Sequence, residues 1–253
     1  MKYITKDFLY EISPKYSGKK GARQKEIIEA IGDEFDSILI TYDIYTNLQI
    51  SHFLAQAAHE CAGFCTTEEF ASGKAYEGRK DLGNINPGDG VRYKGRGIFQ
   101  LTGRYNYRDM GRELNLPLED QPQLAADPIV SLKIACEYWN SRNLNVLADK
   151  NDIHGITKKI NGGLNGLESR TAYFRKIKKI IDDIENILKV KLKEKDQGYF
   201  VKLLQRKLNE NGANVIVDGE FGKGTKRAVI EFQQKNHLVD DGIVGKNTWT
   251  VLM

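Results

Sequence analysis

Residues 93–107 read YKGRGIFQLTGRYNY, and the reading of the whole chain turns on this block. It closes a stretch, residues 71–97, with little periodicity and with glycines at 73, 78, 83, 88, 90, 95 and 97. A connection of that length inside a compact domain is usually functional or disordered. With Tyr76, Arg79, Arg92, Tyr93 and Arg96 along it, the loop is either a plain surface excursion or a flap over a polysaccharide, where aromatic faces pack on sugar rings and arginines bond hydroxyls or acidic groups. Just ahead of it stand two carboxylates nine residues apart, Glu60 and Glu69. Two acids followed by a covering loop are the makings of a sugar-cleaving site.

Apolar positions at helical spacing run through 23–31 and 46–60, and helices are expected again at 105–114, 129–139 and 171–188. In the last of these, Tyr173, Ile177, Ile180, Ile181, Ile184, Ile187 and Leu188 trace one apolar stripe. On one continuous helix, Glu60 and Glu69 would lie about 13.5 Å apart along the axis and on opposite faces. They can cooperate only if the chain leaves the helix between them, and Gly63 is a natural stop. Glu60 would then sit in the last turn, where the negative end of the helix dipole disfavours ionisation. Ala57, Ala58 and Cys61 add desolvation in the same direction, as an acid that must protonate a leaving oxygen requires. Glu69, in a looser polar segment, is expected to stay ionised and serve as base. Spacing alone leaves a capping or surface role open for both.

The blocks AHECAGF (58–64), EEF (68–70), YKGRGIFQLTGRYNY and KKINGGLNG (158–166) together resemble the glycoside hydrolase family 19 catalytic domain, over residues 49–175. That family includes plant-type chitinases and many phage endolysins, and ASGKAYEGRKDLGN (71–84) is more similar to the endolysin branch. The resemblance implies Glu60 as general acid, Glu69 as general base with neighbouring Glu68 as the alternative, and Thr102 as the hydroxyl holding the attacking water. It implies sugar contacts for Gln100, Tyr105, Asn106 and Asn161, and cleft-lining places for Tyr93, Lys133 and Arg170. The implied mechanism is inverting, which needs carboxyls about 6.5–9.5 Å apart. Two positions depart from the family pattern: Ala62 stands where a glycine is common, and Phe70 where Asn is frequent after the second Glu.

Other readings of these residues are weaker. His59-Glu60 opens like a zinc HExxH motif, but position 63 is Gly. His52, His59, Cys61 and Cys65 could still make a zinc peptidase or amidase, although the expectation is no metal and no cofactor. Tyr138 and Trp139 read as core on a helix. Three cysteines, Cys61, Cys65 and Cys136, lack scaffold spacing and read as reduced thiols.

At 253 residues the chain is comfortable for two domains, with 40% hydrophobic and 28% charged residues. Net charge is +4; the last 57 residues carry 8 basic and 6 acidic side chains and the remainder 30 and 28, so each part is +2. That is too thin for a nucleic-acid footprint. No run approaches a membrane span, and MKYITKDFLYEISPKY has no apolar core of signal-peptide type. No oligomer seam is visible, so a monomer is expected.

VKLKEKD (190–196) is short and charged with nothing evident to bury, and marks a domain boundary. Beyond it DGEFGKGT (218–225) recurs as DGIVGKNT (241–248), each leading into a helix with Thr as its N-cap. With FVKLLQRKLNENG before them, these units make three small helices. Leu203, Leu204, Leu208, Val229, Phe232 and Trp249 read as core. The pattern resembles the type 1 peptidoglycan-binding domain, which implies docking on cell wall. The expected architecture is mainly α: a lysozyme-like, family 19 helical domain at 1–189, a linker at 190–196 and a three-helix wall-binding domain at 197–253. The resemblance implies an endolysin that cuts the β-1,4 bond between N-acetylmuramic acid and N-acetylglucosamine. It would be made in a host bacterial cytoplasm and reach the wall after release by a separate pore-forming protein. A chitinase, and a non-catalytic wall-binding or virion protein, are the alternatives.

Overall fold

The computed structural model describes residues 4–253. The first three residues of the expected 1–189 domain, which also open the stretch read for a leader, lie outside the described residues. The described residues are mainly helical, with thirteen α-helices and only isolated β-bridges. No helix among them is long and apolar enough to cross a membrane. Contacts divide the chain into two compact units, the larger ending at Lys179 and the smaller running from Ile180 to Met253.

The larger unit holds α1 (Lys6–Ile12), α2 (Gly18–Ile31), α3 (Phe35–Thr41), α4 (Asn47–Glu60), α5 (Asp89–Arg92), α6 (Arg104–Leu114), α7 (Pro128–Ser141), α8 (Leu144–Asp149) and α9 (Ile153–Asn161). It also holds the first half of α10 (Leu167–Lys189). The periodic segments 23–31, 46–60, 105–114, 129–139 and 171–188 all fall on helices, with Thr46 as the N-cap of α4, and α1, α3, α5, α8 and α9 are additions. At its centre α4 is buried along ten of its fourteen residues. Thr46 and Gln49 start it with a capping box, each satisfying the other's orphan backbone donor. Phe53 packs edge-on to Phe35 at 6.4 Å and to Trp139 at 5.5 Å, and lies 5.7 Å from Phe99. Burying each such side chain stabilises the fold by about 1.5–3 kcal/mol.

So complete a burial leaves α4 with polar side chains that need partners, and these come from far along the chain. Gln49 donates to Asp149 at 2.9 Å, His52 Nε2 pairs with Asn151 at 2.9 Å, and Gln56 accepts from Arg170. The polar face of the central helix therefore ties it to the segment running from α8 to α10.

Residues 71–97 are a fastened segment rather than a free flap. Asp89 is buried and holds the Arg104 guanidinium through both carboxylate oxygens, while Arg104 also reaches Glu119 at 3.1 Å. Buried Asn84 donates to the Tyr76 carbonyl and accepts from the Arg104 backbone, each at 2.9 Å. Arg79 is paired with Asp81, Arg92 with the carbonyls of Glu119 and Asp120, and Arg96 with Glu68. Of the flap's expected arginines, Arg96 is thus spent on the fold, whereas Arg79 pairs locally at the surface and Arg92 is an exposed tie to the 119–120 carbonyls. Sequence spacing could not reveal the Arg96 and Arg92 partners, which lie 28 and 27–28 residues away.

The smaller unit contains α11 (Tyr199–Glu210), α12 (Lys223–Lys235) and α13 (Lys246–Leu252). Residues 190–196 are built into it: Leu192 is buried and exchanges both backbone hydrogen bonds with Val244, and Lys195 and Asp196 pair with Phe221. The surrounding charge hides this one apolar anchor in the sequence. Each repeat is gripped by one buried glutamine. Gln205 donates to Thr225 at 3.1 Å and accepts from Gly219 at 2.9 Å; Gln233 donates to Thr248 at 3.1 Å and accepts from Gly242 at 3.0 Å. Thr225 and Thr248 are therefore buried acceptors inside the first turn, and Gly222 and Gly245 hold the N-cap positions. Leu204, Leu208, Val229, Phe232 and Trp249 are buried, and Leu203 is half-buried.

Candidate active site

The end of α4 delivers Glu60. The chain then turns through three consecutive left-handed residues, Ala62 (φ 50°), Gly63 (φ 69°) and Phe64 (φ 61°). A side chain at Gly63 would strike Pro14, 2.3 Å from its Cδ, so only glycine fits there. Phe64 is driven into this costly conformation by its own burial, edge-on to Phe35 at 6.3 Å. This reversal sends the chain out to Glu68 and Glu69 instead of along the helix axis.

The Glu60 side chain, 18% exposed, accepts a hydrogen bond on Oε1 from Arg170, whose side chain is 1% exposed. Arg170 donates in addition to Gln56 and to the Asn165 carbonyl. The sequence reading put Arg170 in the cleft lining; it is buried behind Glu60 and holds it. Burial and the helix end are the influences on Glu60 that are legible in the local sequence, because this opposite charge lies 110 residues away. His59, next to Glu60, pairs through Nδ1 with Ser169 at 3.0 Å, and burial followed by the Arg170 charge keeps it below the usual histidine range. Cys61 donates its thiol to the Ala57 carbonyl, and burial pushes its pKa up to about 12, so it is an inert packing group.

Glu68 and Glu69 face opposite ways because the backbone is extended there, bridging to Arg96. Glu68 is held by Arg96 at 3.0 Å and Lys94 at 3.2 Å. Glu69 accepts from the Gly95 backbone at 2.8 Å and from the Tyr76 hydroxyl at 3.0 Å. A Cβ placed on Gly95 would lie 3.3 Å from the Glu69 carboxyl carbon, 3.3 Å from Thr102 Oγ1 and 2.9 Å from Gln100 Oε1. One small space is therefore bordered by a carboxylate, a hydroxyl and an amide. Thr102 donates to the Gln100 carbonyl at 2.9 Å, which leaves its lone pairs for a further donor.

From Gln100 and Thr102 a cleft of about 540 Å³ runs between α6 and α7, lined also by Asn106, Glu113, Glu137 and Tyr138. Asn106 is anchored by donation to the Thr102 carbonyl at 2.7 Å. Tyr105 is 40% exposed, with its ring packed over Gly83, where a side chain would collide with it. Asn161 is exposed at the last residue of α9, beside cleft-lining Ile160. Lys133 is exposed on α7 and is not part of the lining. Tyr93 is fully buried in a cluster with Tyr107 and Leu118 and donates to the Glu119 carbonyl at 3.0 Å, so it is core and not cleft.

Sequence reasoning missed Tyr138 as a cleft residue. Its ring lies 3.5 Å from the Arg142 guanidinium carbon, and burial raises its hydroxyl pKa. The signal was available: Ile134, Glu137, Tyr138 and Ser141 share a helical face that does not include Trp139. Burial, then the neighbouring Glu113 carboxylate, raises Glu137. Phe70, the departure from the family pattern after Glu69, is 83% exposed and is not part of the cleft lining.

Residues 18–159 match the family model described as chitinase class I, glycoside hydrolase family 19, and residues 197–252 match the model described as a peptidoglycan binding domain. A Haemophilus influenzae glycosyl hydrolase family 19 domain-containing protein is 30% identical over 159 residues, covering 51% of this chain and 78% of its own. An Arabidopsis thaliana endochitinase is 35% identical over 162 residues, covering 61% of this chain and 54% of its own, so about half of that plant protein is spanned. Chitinase C from Streptomyces griseus superposes with a TM-score of 0.53 at 22% identity, over 71% of this chain and 76% of its own. A class IV chitinase from Zea mays does so with a TM-score of 0.51 at 20% identity, over 71% and 92%. These likenesses speak to the fold alone.

Proposed function

The chain belongs to glycoside hydrolase family 19, and from that premise we propose that it degrades bacterial peptidoglycan as an endolysin. The bond cut is the β-1,4 link between N-acetylmuramic acid and N-acetylglucosamine. The observation that carries the chemistry is the convergence of Glu69, Thr102 and Gln100 on the space above Gly95. The family and the wall-binding match together support hydrolysis of cell wall or chitin, and a wall-binding unit in the same chain favours the wall.

In this reading Glu60 protonates the glycosidic oxygen. Arg170 occupies its Oε1, so Oε2 carries the proton. Glu69, held by Tyr76 and the Gly95 N–H, takes a proton from a water that Thr102 positions on the opposite face of the sugar, which gives inversion. The anchored Asn106 and the exposed Tyr105 supply sugar contacts along the cleft. Neither step calls for a metal or an organic cofactor. The enzyme works as a monomer, is made in the host cytoplasm and reaches the wall through a separate membrane lesion.

The second reading is a chitinase acting on poly-N-acetylglucosamine, favoured by the similarity to a plant endochitinase. Mass spectrometry of products from purified peptidoglycan, with and without borohydride reduction, separates the two. Reducing-end N-acetylmuramic acid, absent with Glu60→Gln and with Glu69→Gln, is the expected result. Reducing-end N-acetylglucosamine would move the bond, and free stem peptides on intact glycan would end the glycosidase reading.

A further inference from the structure

The two repeats of the smaller unit enclose two grooves at matching positions. The first, about 640 Å³, is lined by Ile216, Asp218, Gly222 and Thr225; the second, about 280 Å³, by Val239, Asp241, Gly245 and Thr248. These residues correspond one to one along the two repeats, 23 positions apart. The Gly of each Asp-Gly pair, Gly219 or Gly242, and the motif's Thr are buried and gripped by Gln205 or Gln233, while groove-lining Gly222 is exposed, Gly245 is half-buried and the Asp is exposed in both repeats.

Two residues before each Asp-Gly turn stands an exposed β-branched side chain, Ile216 at 80% and Val239 at 78%. Packing explains neither, since both face water, and an isolated exposed aliphatic needs no account. The same exposed aliphatic over the same groove, twice in one small unit, does call for one. Each groove also carries cations. Arg227 lines the first beside the acids Glu220 and Glu231, and Lys191 and Lys246 line the second.

We propose that the two grooves are paired subsites for the repeating muramyl-peptide unit of peptidoglycan, with Ile216 and Val239 as their apolar contacts. The inference rests on the wall-binding reading given above. A repeated site suits a polymer with a repeating unit. Methyl groups of the lactyl and alanyl parts would cover the aliphatic side chains. Carboxylates and amines of the peptide would meet groove charges of both signs. Chitin is uncharged and offers the grooves no such complement. Two weak subsites on one small unit bind a polymer far more tightly than either alone, because engagement of the second becomes intramolecular.

The test is co-sedimentation of the full chain with purified sacculi, and separately with chitin, at low temperature. Ile216→Asp and Val239→Asp are each expected to weaken sedimentation with sacculi several-fold, and the double variant at least about tenfold. Both sites are exposed, so circular dichroism and thermal midpoints should match the parent. Tyr199→Asp, 71% exposed outside both grooves, should sediment like the parent. A folded double variant that still sediments with sacculi overturns the subsites and leaves wall binding standing. A parent that does not sediment with sacculi overturns both. Parent binding to chitin as strong as to sacculi, and equally weakened in the double variant, overturns the muramyl-peptide assignment.

Discussion

Gly95 carries more of the candidate site than any charged residue near it. Its backbone N–H holds Glu69, and its missing side chain leaves open the space that Glu69, Thr102 and Gln100 border. Its φ is not left-handed, so alanine fits the backbone, and the cost falls on the space alone. Gly95→Ala is therefore expected to fold normally and to lose about 10²-fold or more in kcat, the scale of a misplaced reacting group. Thermal melting beside a turnover assay checks both halves. A second residue-scale consequence concerns His52, fully buried, stacked on Phe174 at 4.2 Å, with no hydrogen-bond partner for Nδ1 among the described residues. Burial holds its pKa below the usual histidine value. The unfolded chain then binds the extra proton first, so His52 contributes stability that is complete above about pH 6.5 and drains as pH falls below it. Thermal midpoints between pH 7.5 and 5 should decline in the parent and decline less in His52→Gln.

At the scale of elements, the repeats of the smaller unit are held by side chain rather than by propensity. Gln233 makes bonds to Gly242, Ile243 and Thr248 from a site 1% exposed, and truncating it strands several buried groups at once. Gln233→Ala and Gln205→Ala should each cost about 2–4 kcal/mol, read as a lowered urea midpoint for the smaller unit. Surface Gln234→Ala should be near neutral. These glutamines also mark the limit of what the sequence discloses. Asp-Gly pairs announce the turns because turn chemistry is local, but nothing in LLQRKL says that Gln205 reaches 13 residues on to Asp218. The larger unit follows the same division. Helices α2, α4, α6, α7 and α10 are legible because an apolar stripe repeats over two turns or more. The six-residue α8 is too short to show a period. Glu60 and Glu69 stand out as acids, yet Arg170 behind one and Tyr76 beside the other are set by tertiary packing. Tyr93 lies inside the most diagnostic block and is core, because a family motif records folding needs as well as chemistry.

For the whole molecule, the position of the cut between catalysis and wall attachment follows from where the small unit begins. Ending the chain at residue 196 would remove Val244, Phe221 and Trp249, the partners of Leu192, Lys195 and Val190. The retained tail would then expose Leu192. A truncation after Lys189 removes residues 190–196 with their partners and keeps α10 whole, including the turns from Ile180 on that count with the smaller unit. We expect that shortened chain to hydrolyse soluble glycan fragments within about twofold of the parent, since Glu60, Glu69, Thr102 and the cleft all lie before residue 161. On intact sacculi the parent should be faster by about 10–100-fold at low enzyme concentration. Tethering supplies a high effective concentration of enzyme at the wall, and that advantage should shrink once the enzyme is in excess of its sites. The contrast between the two substrates makes the prediction specific. Equal loss on soluble and insoluble substrate would mean that the small unit supports the catalytic fold, and no loss on either would mean that it adds nothing to attack on the wall.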